Sequence, residues 1–193
     1  MREVELKAVV DDVGARRGLI EKAGAVLEYE GMLLDRRYDV ASADLARRDH
    51  VLRVRRYQNE DGVRTYLEWK GPTELRDVYK TREELSTLVD DFDALEEILG
   101  RLGFGITMAI DREIAQYKIH DAMVRFETYP RMDVLVEVEG DPDAIEKAIE
   151  ALGMARGQFT SERLNIFVQR FENRTGVQAL IASPPHPDNF TRR

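Results

Sequence analysis

Charged residues recur at every second position in runs that are otherwise largely apolar. The runs are Glu3-Val-Glu5-Leu-Lys7, Val51-Leu-Arg53-Val-Arg55, Tyr66-Leu-Glu68-Trp-Lys70, Tyr79-Lys-Thr-Arg82-Glu-Glu84, Val124-Arg125-Phe-Glu127 and Val134-Leu-Val-Glu137-Val-Glu139. Successive side chains of a strand point to opposite faces, so Glu3, Glu5 and Lys7 share one face and Val4 and Leu6 the other. Two carboxylates on one face can grip a divalent cation through oxygen, and a nearby lysine can hold the anion that the cation neutralises. Six such strands have two possible destinations. One is an open sheet, wet on one side. The other is a closed barrel with its charges inward and its apolar faces under helices. In the barrel, Arg53, Arg55, Lys70 and Arg82 form a cationic lining, and Glu3, Glu5, Glu137 and Glu139 form an acidic cluster in the same space. Buried charges of both signs are costly unless paired or liganded. Such a cavity suits a polyphosphate chain with Mg²⁺ or Mn²⁺.

The elements that must position these residues are legible in outline. Strands are expected over 2–10, 26–40, 50–58, 63–71, 76–85, 106–118, 120–128 and 132–139. Glu60-Asp61-Gly62 marks a hairpin turn. Helices are expected from Gly14 to Ala25, over Phe92 to Leu102 by helical spacing, and from Pro142 to Leu152, where proline suits the first turn. A further amphipathic stretch runs from Thr160 to Phe171. This order predicts an α+β fold, an eight-stranded antiparallel closed β-barrel with helices packed outside. The domain is expected to span 1–182, and the proline-rich, polar end, 183–193, to be a disordered tail.

Composition narrows the chemistry. The 193 residues are 43% hydrophobic and 34% charged, enough for a sizeable core. With no cysteine there is no disulfide, thiolate site or cysteine nucleophile. His50, His120 and His186 lack metal-ligand spacing, which argues against zinc and for a hard cation held by oxygen. The net charge of −8 disfavours broad nucleic-acid binding. No signal-peptide or membrane-spanning run is visible, so a cytoplasmic protein without membrane or nucleic-acid partners, monomer or homodimer, is expected.

Five of these motifs, in order, resemble the CYTH proteins of the triphosphate tunnel metalloenzymes: Glu-x-Glu-x-Lys, Leu-Arg-Val-Arg, Trp-Lys-Gly-Pro, Thr-Arg-Glu-Glu and Glu-Val-Glu. That group includes class IV adenylyl cyclases, thiamine triphosphatases and inorganic triphosphatases. The resemblance covers about residues 1–172. It implies a tunnel that binds a small-molecule triphosphate with Mg²⁺ or Mn²⁺. By that resemblance Glu3, Glu5, Glu137 and Glu139 are metal ligands, as is Glu84, which forms a further inward pair with Arg82; Lys7, Arg53, Arg55, Lys70 and Arg82 bind the phosphates and carry catalysis, with Arg112 as a further substrate contact. Two positions depart from the family pattern. Arg112 stands on the strand after the central helix, but Ile110 occupies the place of the cation two before it, so that cation is either absent or moved to Lys118. Glu127 replaces an aspartate expected before the late Glu-x-Glu, and is expected to ligate metal with a longer reach.

Other residues have plainer readings. Glu68 is expected to pair with the cations of the wall, and Tyr66 and Trp69 to pack. His50 and His120 are expected at the surface or at strand ends, and Arg36 and Arg37 on a solvated face. Asp90, Asp91 and Asp93 suit a helix start. The expected reaction is hydrolysis of a triphosphate, with cyclisation of ATP and non-catalytic polyphosphate binding as alternatives. No base-reading motif is recognisable, so tripolyphosphate is expected to be turned over at least as well as ATP.

Overall fold

Alternation and turn chemistry account for most of the backbone seen in the computed structural model. It describes residues 2–76 and 79–183, and only the backbone of 2, 3, 75, 76, 79 and 80. Among the described residues there are nine strands: β1 Arg2–Val9, β2 Val26–Val40, β3 Val51–Asn59, β4 Gly62–Lys70, β5 Glu74–Arg76, β6 Tyr79–Val89, β7 Phe104–Ile119, β8 Ala122–Thr128 and β9 Leu135–Glu139. The strand expected over 76–85 is divided differently. A three-residue β5 pairs back on β6, which continues to Val89. The sheet order is β1-β9-β8-β7-β2-β3-β4-β6-β5, and a β1–β6 ladder joins Arg2 to Glu83 and Glu5 to Lys80. That ladder closes eight antiparallel strands into a barrel and removes the open edges.

Five helices, α1 Val13–Lys22, α2 Asp44–Arg47, α3 Phe92–Arg101, α4 Pro142–Ala151 and α5 Leu164–Thr175, accompany the barrel. Two of the longer ones start on an aspartate cap. Asp12 accepts from the Ala15 N–H and Asp91 from the Ala94 N–H, both at 2.9 Å, satisfying donors that a first turn leaves open. The outer face of the barrel is apolar and covered. Leu6, Ala8, Tyr117, Val124, Val136 and Val138 pack with Ile20 of α1 and with Ala144, Ile145, Ala148 and Ile149 of α4. Tyr38 and Val54, with Leu52 and Leu67, meet Phe92, Leu95 and Leu99 of α3. Phe167 and Leu164 of α5 pack instead with Ile110, Tyr129 and Leu135, where Ile110 and Leu135 share the inward face of Arg112 and Glu137.

The segment after α5 returns to the barrel. Leu180 bridges Arg131, the Asp111 N–H donates to the Ile181 carbonyl at 2.8 Å, and the Ser183 N–H donates to Asp111 at 3.0 Å. The tail expected from 183 onward lies, beyond Ser183, outside the described residues. Among the described residues no helix is long and apolar enough to cross a membrane.

Candidate functional site

The antiparallel register sets charged residues directly across from one another on the inner face, mostly in pairs of opposite sign. Glu5 faces Glu139 and Lys7 faces Glu137 between β1 and β9. Glu137 also faces Arg125 of β8. Asp35 faces Arg55, and Arg37 faces Arg53, between β2 and β3. Arg53 faces Glu68, and Lys70 faces Glu84, on the next ladders. Directly opposed side chains start only about 5 Å apart, so each ladder builds ion pairs without help from loops.

Two connected clusters result. In the first, Lys7 reaches Glu5 at 3.2 Å and also binds Glu137, which is shared with Arg125. Arg112 Nε donates to Glu127 at 2.8 Å, Arg125 Nε lies 3.3 Å from the same oxygen, and the Tyr129 hydroxyl donates to the other oxygen at 2.7 Å. In the second, Arg53 Nε donates to Glu68 at 2.7 Å and Arg53 Nη1 lies 3.6 Å from Asp35. Arg55 lies 3.4 Å from Asp35 and 3.7 Å from Glu68. Lys70 pairs with Glu84.

The electrostatics follow from this crowding. Burial pushes the Asp35 carboxyl up, but Arg53, Arg55, Arg112 and Arg37 outweigh it and hold it well below the usual carboxylate range. Glu68 is lowered against its burial by Arg55 and Arg53, and Glu127 against its burial chiefly by Arg112. Lys7 is pulled down by burial yet ends above the ordinary lysine range, because Glu137, Glu5 and Glu127 surround it. Arg37 goes the other way. Burial lowers it first, and the neighbouring Arg53, Arg112 and Arg55 lower it further against Asp35.

Three buried guanidinium nitrogens in this region, Arg37 Nε, Arg53 Nη2 and Arg112 Nη1, have no hydrogen-bond partner among the described residues. A buried donor without an acceptor costs about 1–3 kcal/mol. Arg37 and Arg53 face each other across β2 and β3 and Arg112 stands on the adjacent β7, and open donors of this kind suit an anion rich in oxygen.

Most expected site residues meet on the inner face: Glu5, Lys7, Arg53, Arg55, Lys70, Glu84, Arg112, Glu127, Glu137 and Glu139. Arg82 is buried but turned toward one end, donating to the carbonyls of Gly71, at 2.7 Å, and Asp49. The side chain of Glu3 lies outside the described residues.

Several expectations need correction. Among the described residues no group of three or more acidic or histidine side chains is placed to hold a metal. Glu84, Glu127 and Glu137 are engaged by cations instead. Glu5 and Glu139 remain directly opposed and suit a hard cation that takes oxygen ligands. Lys118 is exposed and does not replace the cation missing at Ile110, which is buried among apolar residues. Arg37 faces inward rather than to solvent, while Arg36 is buried on the outer face, 2.5 Å from Asp111. Tyr66 lines a cavity, whereas Trp69 packs as expected, its ring 5.3 Å from that of His50 and tilted by 51°.

Asp35, Arg37 and Arg125 were not among the expected site residues. Arg125 alternates with Glu127, a signal already present in the sequence. Asp35 and Arg37 are hidden because Asp35-Arg36-Arg37 puts charge on both faces of β2, so alternation does not pick an inward face.

With this geometry in view, the chain's likenesses are informative. A sequence model of the CYTH domain matches residues 1–153. A protein of Methanocaldococcus jannaschii named as a candidate adenylate cyclase is 26% identical over 155 residues, covering 79% of this chain and 86% of that one. The X-ray structure of a candidate adenylate cyclase from Vibrio parahaemolyticus superposes with a TM-score of 0.72 at 16% identity, covering 86% of this chain and 97% of that one. A candidate adenylyl cyclase from Hippeastrum, described as having a dominant triphosphatase activity, gives a TM-score of 0.52 at 14% identity, covering 95% of this chain and 91% of that one. The family match extends over most of the chain and takes in every strand of the closed barrel, so the chain belongs to the CYTH domain family.

Proposed function

We propose that the barrel binds a triphosphate and hydrolyses it with the help of a divalent cation. The observation that carries this reading is the group of unpartnered buried guanidinium nitrogens on Arg37, Arg53 and Arg112. Arginine forks match phosphate oxygens in geometry and stay charged at any physiological pH. Asp35 and Glu68 hold Arg53 and Arg55 in place before substrate arrives, so little reorganisation is needed when charge shifts during reaction. Lys7, fixed between Glu5 and Glu137, adds a point charge on the neighbouring wall.

Glu5 and Glu139, with Glu3 by its position on the same strand face, would hold Mg²⁺ or Mn²⁺, which usually binds through one or two carboxylates plus substrate phosphates. Bound there, the ion would supply Lewis-acid neutralisation of phosphate charge and a more acidic water. The protein's own groups do the remaining work. The arginines bind the chain, take up charge on the leaving phosphate oxygens and keep the phosphorus in line for attack. Phosphoryl transfer needs such positioning rather than a protein nucleophile, which suits a chain without cysteine.

The test offers purified protein tripolyphosphate, thiamine triphosphate and ATP, with and without Mg²⁺ or Mn²⁺, and measures phosphate, pyrophosphate and cyclic AMP. Metal-dependent release of phosphate is expected. Cyclic AMP and pyrophosphate as the main products from ATP would replace this reading by a cyclase, the activity in the names of several relatives. Binding without turnover in any divalent metal would replace it by a polyphosphate-binding module.

A further inference from the structure

Arg112 carries one of the open donors, and the aim of that donor is set from two side chains away. Arg112 Nε donates to Glu127 at 2.8 Å, while Nη1 has no partner among the described residues. The inward neighbours of Arg112 on β7 are Ile110, Ile114 and Gln116, none of them charged. Arg112 therefore supplies the positive charge on this stretch of wall, and the direction of its guanidinium plane decides where Nη1 points.

That plane is held by Glu127, which is 2% exposed and engaged at both oxygens. Oε1 accepts from Arg112 and, at 3.3 Å, from Arg125 Nε. Oε2 accepts from the Tyr129 hydroxyl at 2.7 Å. The last torsion of a glutamate is broad, so contacts at Oε1 alone leave the carboxylate free to swing. Two arginines share that oxygen, and Arg125 is anchored separately on Glu137. The hydrogen bond at Oε2 removes the freedom and sets the carboxylate plane, and the carboxylate plane sets Arg112. Tyr129 can serve as a fixed post. Its residue is 6% exposed, and its ring packs with Ile110, Leu135 and Phe167 of α5.

We infer that Tyr129 is a positioning residue: its hydroxyl fixes Glu127, and Glu127 holds Arg112 with Nη1 turned toward the anion. This rests on the phosphate reading above. The lock is in place before any ligand arrives, so no binding energy is lost in turning the guanidinium. Packing against Phe167 would be met equally by a phenylalanine at this position. The carboxylate needs the hydroxyl, because a buried acceptor that loses its donor keeps its full desolvation penalty.

The experiment compares wild type, Tyr129→Phe, Arg112→Ala and the double variant. It reads kcat/KM for tripolyphosphate and for ATP with Mg²⁺ or Mn²⁺, and the Arg112 Nε–H signal by NMR, assigned by its loss in Arg112→Ala. Phenylalanine keeps the ring, and Arg125 still reaches Glu127 when Arg112 is removed, so the variants should fold, which urea unfolding checks. Tyr129→Phe is expected to lower kcat/KM about tenfold and to shift or broaden the Nε–H signal. In the Arg112→Ala background it should cost less than about twofold more, because residues in one network are not additive. A purely structural role would cost the same in both backgrounds and leave the signal in place. Either result overturns the inference, as does a kcat/KM for Tyr129→Phe within about twofold of wild type. Should Tyr129→Phe not fold, Glu127→Asp takes its place with the same expected and overturning results, since a carboxylate one methylene shorter cannot span Tyr129 and Arg112 together. Failure of wild type to bind or turn over either triphosphate would refute the phosphate reading, while the Nε–H signal still tests the positioning by itself.

Discussion

Arg53 is the sharpest place to perturb the interior. It is 5% exposed, and its three nitrogens have three different situations. Nε donates to Glu68 at 2.7 Å, Nη1 lies 3.6 Å from Asp35, and Nη2 has no partner among the described residues. Arg53→Ala removes the free donor along with the two pairings. Loss of one preorganised donor to developing charge costs about 10²–10³-fold in rate, about 2.7–4 kcal/mol. Stability falls as well, since breaking a buried pair costs about 3–5 kcal/mol where the partner is stranded. Here neither carboxylate is stranded, because Arg55 remains 3.4 Å from Asp35 and 3.7 Å from Glu68. The loss in stability should therefore sit at or below the low end of that range, and the variant should fold. Arg53→Lys keeps the charge but has one nitrogen where three are used, so kcat/KM should still fall about tenfold or more. Steady-state release of phosphate from a triphosphate, alongside urea unfolding of each variant, separates the two effects. A kcat/KM for Arg53→Ala within fivefold of wild type, in folded protein, would refute the assignment of Arg53 to the anion site.

Other perturbations test other parts of the structure. Glu5→Gln retains size and loses charge. It should abolish turnover with the fold intact by circular dichroism, and unchanged activity, or full activity of wild type in excess chelator, would remove the metal role. Asp35 and Glu68 titrate below their unfolded values of about 3.9 and 4.3. Their contribution to stability is then present above about pH 4 and lost as pH falls through the folded values. Asp35→Asn should flatten the decline in unfolding temperature between pH 5 and pH 3, and an unaltered slope would contradict that linkage. Gly31→Ala meets both a positive φ and three contacts under 3 Å, so it should destabilise by about 1–3 kcal/mol. An unshifted urea midpoint would show that the β2 backbone relaxes there.

Local patterns carried much of the architecture into view. A two-residue period is a property of short segments, so the inward faces of β1, β3, β4 and β9 could be read from Glu5 and Lys7, Arg53 and Arg55, Glu68 and Lys70, and Glu137 and Glu139 without knowing what they face. The bounds of β2 and the start of α4 followed equally from local signals. What the alternation could not state is which strand lies beside which. That depends on contacts between residues far apart in sequence, such as Asp35 with Arg55, or Lys7 with Glu137. Register decided that Glu127 and Glu137 pair with arginines rather than gather with Glu5 and Glu139. It also turned Arg37 inward, where charge on both faces of β2 had masked its direction, and set Tyr29, Tyr57 and Tyr66 around one cavity. The types of charge available to the site were thus present in the chain itself. Their partners, and the donors left without one, came from closure of the barrel, because only tertiary pairing determines which buried charges neutralise each other.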